Sequence, residues 1–171
     1  YNKVGQAMST LINIHVAQII SAGLQLRETA LDNAGLAEST RRMAARGLES
    51  SAAQYLTALD TLKQAERQMA LFHKDVDIIL SPVLALPPAE LGWLDMNAPD
   101  IREYATRYSA YSPFTALYNG TGQPSISLPL HKNAAGLPIG VMFSAAWGED
   151  LLLLQLAHSL IPGIVPVAAG A

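Results

Sequence analysis

Side chains able to do chemistry gather at three places in this 171-residue chain. Ser81-Pro82 ends a short β-branched run, and sites in open α/β sheets lie just beyond the carboxyl ends of strands. The same dipeptide also reads as a plain strand stop. Asn119-Gly120-Thr121-Gly122-Gln123-Pro124 is a loop whose glycines accept positive φ and let the backbone approach a ligand or a neighbouring strand. Read as structure, it is a helix C-cap leading into a strand. Leu91, Trp93 and Met96 sit in a proline-rich stretch and could close over an acyl group, because binding clefts are mostly apolar and aromatic. Trp93 could equally pin that stretch to the body of the protein.

Other chemistries find no support in the spacing. No Ser or Thr is followed three residues later by Lys, and there is no Gly-x-Ser-x-Gly elbow. There is no cysteine, which rules out disulfides, thiol catalysis and Cys–zinc sites. His15, His73, His131 and His158 fall on separate elements without paired spacing, so neither a metal nor another cofactor is expected. His131 in a hairpin loop should be solvated, and His158 on the last helix should snorkel. Asp75 and Asp77 share one face at i, i+2 but stand at the mouth of a strand, where solvation or capping is the simpler role.

Positioning elements follow from periodicity. Val4 to Thr29 repeats apolar residues at Ala7, Leu11, Ile14, Ala22 and Leu26, a helix closed by the turn cluster Asp32-Asn33-Ala34-Gly35. That cluster could hinge the first 31 residues; otherwise 1–171 reads as one segment. A second helix covers Glu38 to Leu48, and Ser50 or Ser51 caps a third from Ala52 to Lys74. The third should turn Tyr55, Leu59, Leu62, Ala65, Met69 and Phe72 toward a sheet. Asp75 to Leu80 is expected as a buried strand, and Pro82, Pro87, Pro88 and Pro99 forbid regular helix over the long loop Val83 to Asn97. Asp100 caps a helix to about Ala110, and Pro113 starts another in its first turn, through Tyr118. Ser125–Leu130 and Ile139–Ala145 read as strands. Gly148-Glu149-Asp150 opens a last helix, apolar nearly all round and so expected to be buried on more than one side; the tail after Pro162 should fray.

Composition bounds the rest. Half the residues are hydrophobic and the mean hydropathy is +0.22, values of a globular chain. A net charge of −3, with Arg41, Arg42 and Arg46 interrupted by Glu38 and Glu49, offers nucleic acid no stripe. No uninterrupted apolar run approaches 18 residues, so no membrane-spanning helix is expected. The lack of cysteine fits a reducing cytosol, and a cytoplasmic location is expected. Of 11 Lys/Arg and 14 Asp/Glu, only Lys132, Glu149 and Asp150 fall in the final 64 residues. Such a segment must be core or a face that packs against something, since burying apolar area gains roughly 25 cal/mol per Å².

Phe114-Thr115, Asn119, Thr121-Gly122-Gln123-Pro124, Ser127-Leu128-Pro129, Gly136-Leu137-Pro138-Ile139-Gly140-Val141 and Gly148-Glu149-Asp150, preceded by Asp75–Pro82, resemble the C-terminal half of the amidase-signature hydrolases. The resemblance runs from about Ala52 to Leu160. It implies an α/β fold, a mixed β-sheet covered by helices, incomplete in this chain. It also implies amide hydrolysis by a Ser, cis-Ser, Lys triad, and that family carries its triad in an N-terminal half. The chain begins with Tyr1 and contains none of the triad, which suits a piece of a longer protein. The partners expected are that N-terminal half of the same polypeptide and a small amide substrate, with no nucleic acid and no membrane; homo-oligomerisation stays open. Ser81, Pro82, Trp93, Phe114, Thr115, Asn119, Thr121 and Gly122 would then line the substrate pocket without catalysing. The Gly92–Met96 loop is similar to members acting on small linear or cyclic amides, such as cyclic-dimer nylon-oligomer hydrolases; glutamyl-tRNA amidotransferase A-type subunits share the same block. Outside the family, the charge-poor tail and missing triad also suit a non-catalytic helical scaffold or interaction module.

Overall fold

The computed structural model describes residues 2–31 and 35–161, and within them the chain divides into two compact units. Residues 32–34 of the expected turn and the expected fraying tail lie outside the described residues. The first unit (1–64 and 88–111) is helical; the second (65–87 and 112–171) carries the sheet.

In the first unit α1 (Asn2–Arg27) packs on α2 (Glu38–Glu49). Small residues make this possible: Val4, Ala7 and Ala17 are buried on α1, and Ser39, Ala44 and Gly47 on α2. Gly47 sits at the closest approach, where a β-carbon would stand 2.0 Å from the Asn13 carbonyl oxygen and 2.6 Å from Ala17 Cβ. α1 is also long and apolar enough, by length and composition, to cross a membrane, so the expectation that no helix could do so is too strong. α3 (Ala52–Phe72) starts with the expected cap, here reciprocal: Ser51 Oγ accepts the Gln54 N–H at 3.2 Å and Gln54 Oε1 accepts the Ser51 N–H at 2.7 Å. α3 runs on into the second unit, and its buried residues are Ala58 and Ala65, while Phe72 is half exposed. α4 (Ile101–Tyr111) is capped by Asp100, whose Oδ1 accepts the Arg102 N–H at 2.9 Å.

In the second unit three strands form an antiparallel sheet of order β1-β3-β2: β1 (Ile78–Pro82), β2 (Ser125–Lys132) and β3 (Pro138–Ala145). Asn133 Oδ1 closes the β2–β3 hairpin by accepting the Ala135 and Leu137 N–H groups at 3.0 and 2.9 Å. One sheet face carries Ile78, Ile126, Leu128, Val141, Phe143 and Ala145, and α6 (Asp150–Leu160) packs there through Leu152, Leu153, Leu156 and Ala157. The other face carries Ile79, Ser81, Ser125, Ser127, Met142 and Ser144, as the register and two-residue period require. α5 (Thr115–Thr121) precedes β2.

Five expectations need correction. The strand after α3 begins at Ile78, not Asp75, and lies at an edge of the sheet rather than inside it, with Leu80 66% exposed. Asp75 and Asp77 stand before it, in solvent. α6 is buried on one side only, Leu151 and Leu154 being 60% and 53% exposed, because among the described residues only the sheet packs against it. Pro113 lies ahead of the Phe114 N-cap of α5 rather than in the first turn, and α5 runs past Tyr118 to Thr121.

Two outcomes follow. Gly47→Ala should destabilise the first unit by about 1–3 kcal/mol, since a backbone oxygen cannot move aside without separating the helices; denaturant unfolding measures it. The Arg42 Nε and Arg41 Nη2 contacts to Glu38, at 2.6 and 2.7 Å, hold its carboxyl below the ordinary value of 4.5. A lowered carboxylate adds stability that is present above its unfolded pKa and is lost as pH falls through the folded one. Glu38→Gln should therefore lower the melting temperature slightly near neutrality, with the gap closing below about pH 4.5 and shrinking in high salt.

Candidate functional site

Of the candidate residues, Ser81, Pro82, Phe114, Thr115, Asn119, Thr121 and Gly122 belong to the second unit and Trp93 to the first. The α5–β2 joint is the most constrained of these places. Gly122 ends α5 in the left-handed region at φ 72°, and its N–H donates to Tyr118 O at 2.9 Å, the helix C-cap that glycine makes without steric cost. Thr121 is buried, its Oγ1 lying 2.9 Å from both Leu117 O and Gln123 Oε1. Gln123 Nε2 donates to Ala145 O at 3.3 Å, and the Ala145 N–H donates to Pro124 O at 3.2 Å. The joint is thus sewn to the end of β3, and the polar atoms of Thr121 and Gln123 are spent inside the protein. Asn119 is exposed, Phe114 is partly buried, and Thr115 Oγ1 is 3.5 Å from Ser112 Oγ.

Ser81 lies on the serine-bearing sheet face, its Oγ buried without a hydrogen-bond partner, while Pro82 is exposed. On the same face Ser125 Oγ and the fully buried Ser144 Oγ are 2.7 Å apart. That pair escaped the sequence reading because its residues are 19 apart and meet only through strand register. Trp147 escaped it too. Its indole lies where it would be 3.6 Å from a β-carbon at Gly122, and it is 78% exposed. The Gly-Thr-Gly sequence marks the turn but not the ring that lies beside it.

In the first unit Trp93 is pinned. Its ring meets Tyr111 edge-on at 6.0 Å, the Arg107 guanidinium stands 5.5 Å from the ring centroid, and Arg107 Nη1 donates to Trp93 O at 3.0 Å. Glu103 pairs with Arg107 in turn. Tyr111 Oη accepts the Ala89 N–H at 3.3 Å, while Met96 O and Asn97 Oδ1 accept the Ser39 and Glu38 N–H groups opening α2, at 2.9 and 3.0 Å. Leu91 and Gly92 form the exposed tip of this loop. An open groove of about 330 Å³ in the same unit, lined by Ile14, His15, Gln18, Ser50, Ser51, Ala52 and Tyr55, contains none of the candidate residues.

Among the described residues no hydrogen bond joins a Ser or Thr hydroxyl to a Lys, His, Asp or Glu side chain, and no cluster of His, Cys, Asp and Glu could hold a metal. Ser125 and Ser144 hydrogen-bond one another without a base. These elements form an α/β segment with a three-stranded antiparallel sheet.

The comparisons name the family. The amidase family model matches residues 3–154, and the chain belongs to that family. It is 37% identical over 103 residues to a Mycobacterium leprae protein named as an amidase, AmiC, covering 60% of this chain and 22% of that one. It is 27% identical over 167 residues to the 6-aminohexanoate-cyclic-dimer hydrolase of Paenarthrobacter ureafaciens, covering 94% of this chain and 34% of the relative. A solved 6-aminohexanoate cyclic dimer hydrolase shares the fold at a TM-score of 0.76 and 24% identity, over 88% of this chain and 32% of that one. The chain spans about a fifth to a third of the length of these relatives.

The hydroxyl pair gives a test of the wall's interior. Ser125→Ala strands the buried Ser144 hydroxyl and should cost about 1–3 kcal/mol. The Ser125→Ala/Ser144→Ala double variant should recover part of that loss, because it leaves no orphan; a double-mutant cycle by chemical unfolding reads the difference.

Proposed function

We propose that this chain is the C-terminal wall of an amidase that hydrolyses carboxamide C–N bonds, with the catalytic groups supplied by an N-terminal half of the same polypeptide. In that enzyme a serine attacks the carbonyl carbon, a lysine acting through a cis-serine moves the protons, and backbone N–H groups hold the oxyanion. Family membership supports the chemistry. The observation that carries the division of labour is the sewn α5–β2 joint: its polar atoms are committed to Leu117, Gln123, Pro124 and Ala145, leaving shape rather than reactivity to present. The substrate class is a small linear or cyclic amide, a reading supported by the relative named for the 6-aminohexanoate cyclic dimer.

The 171-residue chain alone should turn over no amide above background, whereas the product of the reading frame extended upstream of Tyr1 should hydrolyse a panel of small amides that includes the 6-aminohexanoate cyclic dimer. Trp93→Ala in the longer protein should raise KM several-fold. Turnover by the short chain, lost on changing one of its serines, would relocate the chemistry to the residues described here.

A further inference from the structure

The fastenings of the proline-rich loop in the first unit differ in what they grip. Tyr111 Oη accepts the Ala89 N–H, and Asn97 Oδ1 and Met96 O take the first N–H groups of α2, whose N-cap Ala37 has no side-chain acceptor for them. These bonds hold the two ends of the loop. Arg107, on α4, reaches its middle and holds Trp93 twice. Its Nη1 donates to the Trp93 carbonyl at 3.0 Å, and its guanidinium carbon stands 5.5 Å from the centroid of the Trp93 ring.

The two contacts constrain different things. The bond to the carbonyl fixes the backbone at residue 93, while the cation over the ring fixes the side-chain torsions, since a guanidinium favours the electron-rich face of an indole. Tyr111 meets the same ring edge-on, at 6.0 Å and 65°. Arg107 is itself paired with Glu103 one turn back on α4, so its direction is set by the helix and not by the loop. With these neighbours in place Trp93 still keeps part of its surface in solvent. A tryptophan that served only to attach the loop would be covered, and the ends of the loop are attached without it. This one is oriented and left accessible.

We infer that Arg107 is a positioning residue for substrate recognition: it presents the Trp93 indole in one orientation to the hydrocarbon part of the amide substrate and does not itself touch the substrate. This rests on the proposed function, which gives Trp93 a part in substrate binding. A ring ordered in advance loses no rotamer freedom when substrate arrives, so the effect falls on binding and leaves the chemical step alone. Lysine cannot stand in for Arg107, because a single ammonium lacks the planar fork that stacks on the ring and donates to the carbonyl together.

Steady-state amide hydrolysis and melting temperatures of variants test this, in the product of the reading frame extended upstream of Tyr1. Arg107→Ala should raise KM roughly three- to tenfold and keep kcat within about twofold of its starting value. Arg107→Lys, which retains a cation for Glu103, should raise KM by a similar factor with a smaller fall in melting temperature. In a Trp93→Ala background Arg107→Ala should raise KM no further, since residues that act through one shared contact are not additive. Asn97→Ala loosens an end of the loop and should lower the melting temperature while leaving KM as it was.

Additive rises in KM would overturn the inference by showing that Arg107 meets the substrate independently of Trp93. An unchanged KM in both Arg107 variants, where Trp93→Ala raises it, would overturn it as well, and so would an Asn97→Ala rise equal to that of Arg107→Ala, which traces the effect to the whole loop. In each of these cases the longer protein hydrolyses amides and the proposed function stands. A longer protein that cleaves no amide would overturn the proposed function and the inference with it; an active one whose KM ignores Trp93→Ala would remove Trp93 from substrate binding and overturn the inference alone.

Discussion

Strand β3 is hydrogen-bonded along both of its edges, and the second unit hangs from that arrangement. One of its faces puts Phe143 and Ala145 against α6; the other puts the buried Ser144 against Ser125. Its last residue accepts from Gln123 and donates to Pro124, which fixes where α5 stops and β2 starts. Remove β3 and β1 loses its partner, the hairpin disappears, and the joint carrying Thr121 and Gly122 has nothing to be sewn to. A strand in this position tolerates few polar groups, and apart from the hydroxyl of Ser144 its interior is Val141, Met142, Phe143 and Ala145.

Most elements were legible in the sequence because their signals are local. The Ser51–Gln54 box, the Asp100 cap, the proline-rich loop and the two-residue alternation of the β2–β3 hairpin each announce themselves within a few residues. What failed depends on neighbours. The apolar run after Asp75 looks like an interior strand, yet burial is decided by what lies on each side, and in this chain one side of β1 is open. The same limit explains α6, whose apolar outer residues predict cover that the described residues do not provide. For the candidate site, the turn and its glycines could be read from sequence, whereas the Ser125–Ser144 pair and the position of Trp147 could not, since strand register brings the first together and the path after β3 sets the second.

The scarcity of charge after Arg107 takes on a meaning that composition alone could not give. Leu80, Trp147, Leu151 and Leu154 all reach solvent in this chain. Exposed apolar side chains held on well-packed strands and helices differ from those of a loosely folded chain, because their backbone positions are already set by the core of Phe143, Leu153 and Ala157. The matched parts make up 22% and 34% of the relatives' lengths.

The loop carrying Trp93 is fastened away from its apex. Tyr111 holds Ala89, Arg107 holds the indole and its carbonyl, and the start of α2 holds Met96 and Asn97, while Leu91 and Gly92 take no part in any of these attachments. A polypeptide ring clasped at its base separates two demands that usually conflict, durability and novelty. Leu91 can be exchanged, and with it whatever the apex meets, without undoing a single clasp, whereas Gly92, at φ 87°, holds a backbone position that favours glycine.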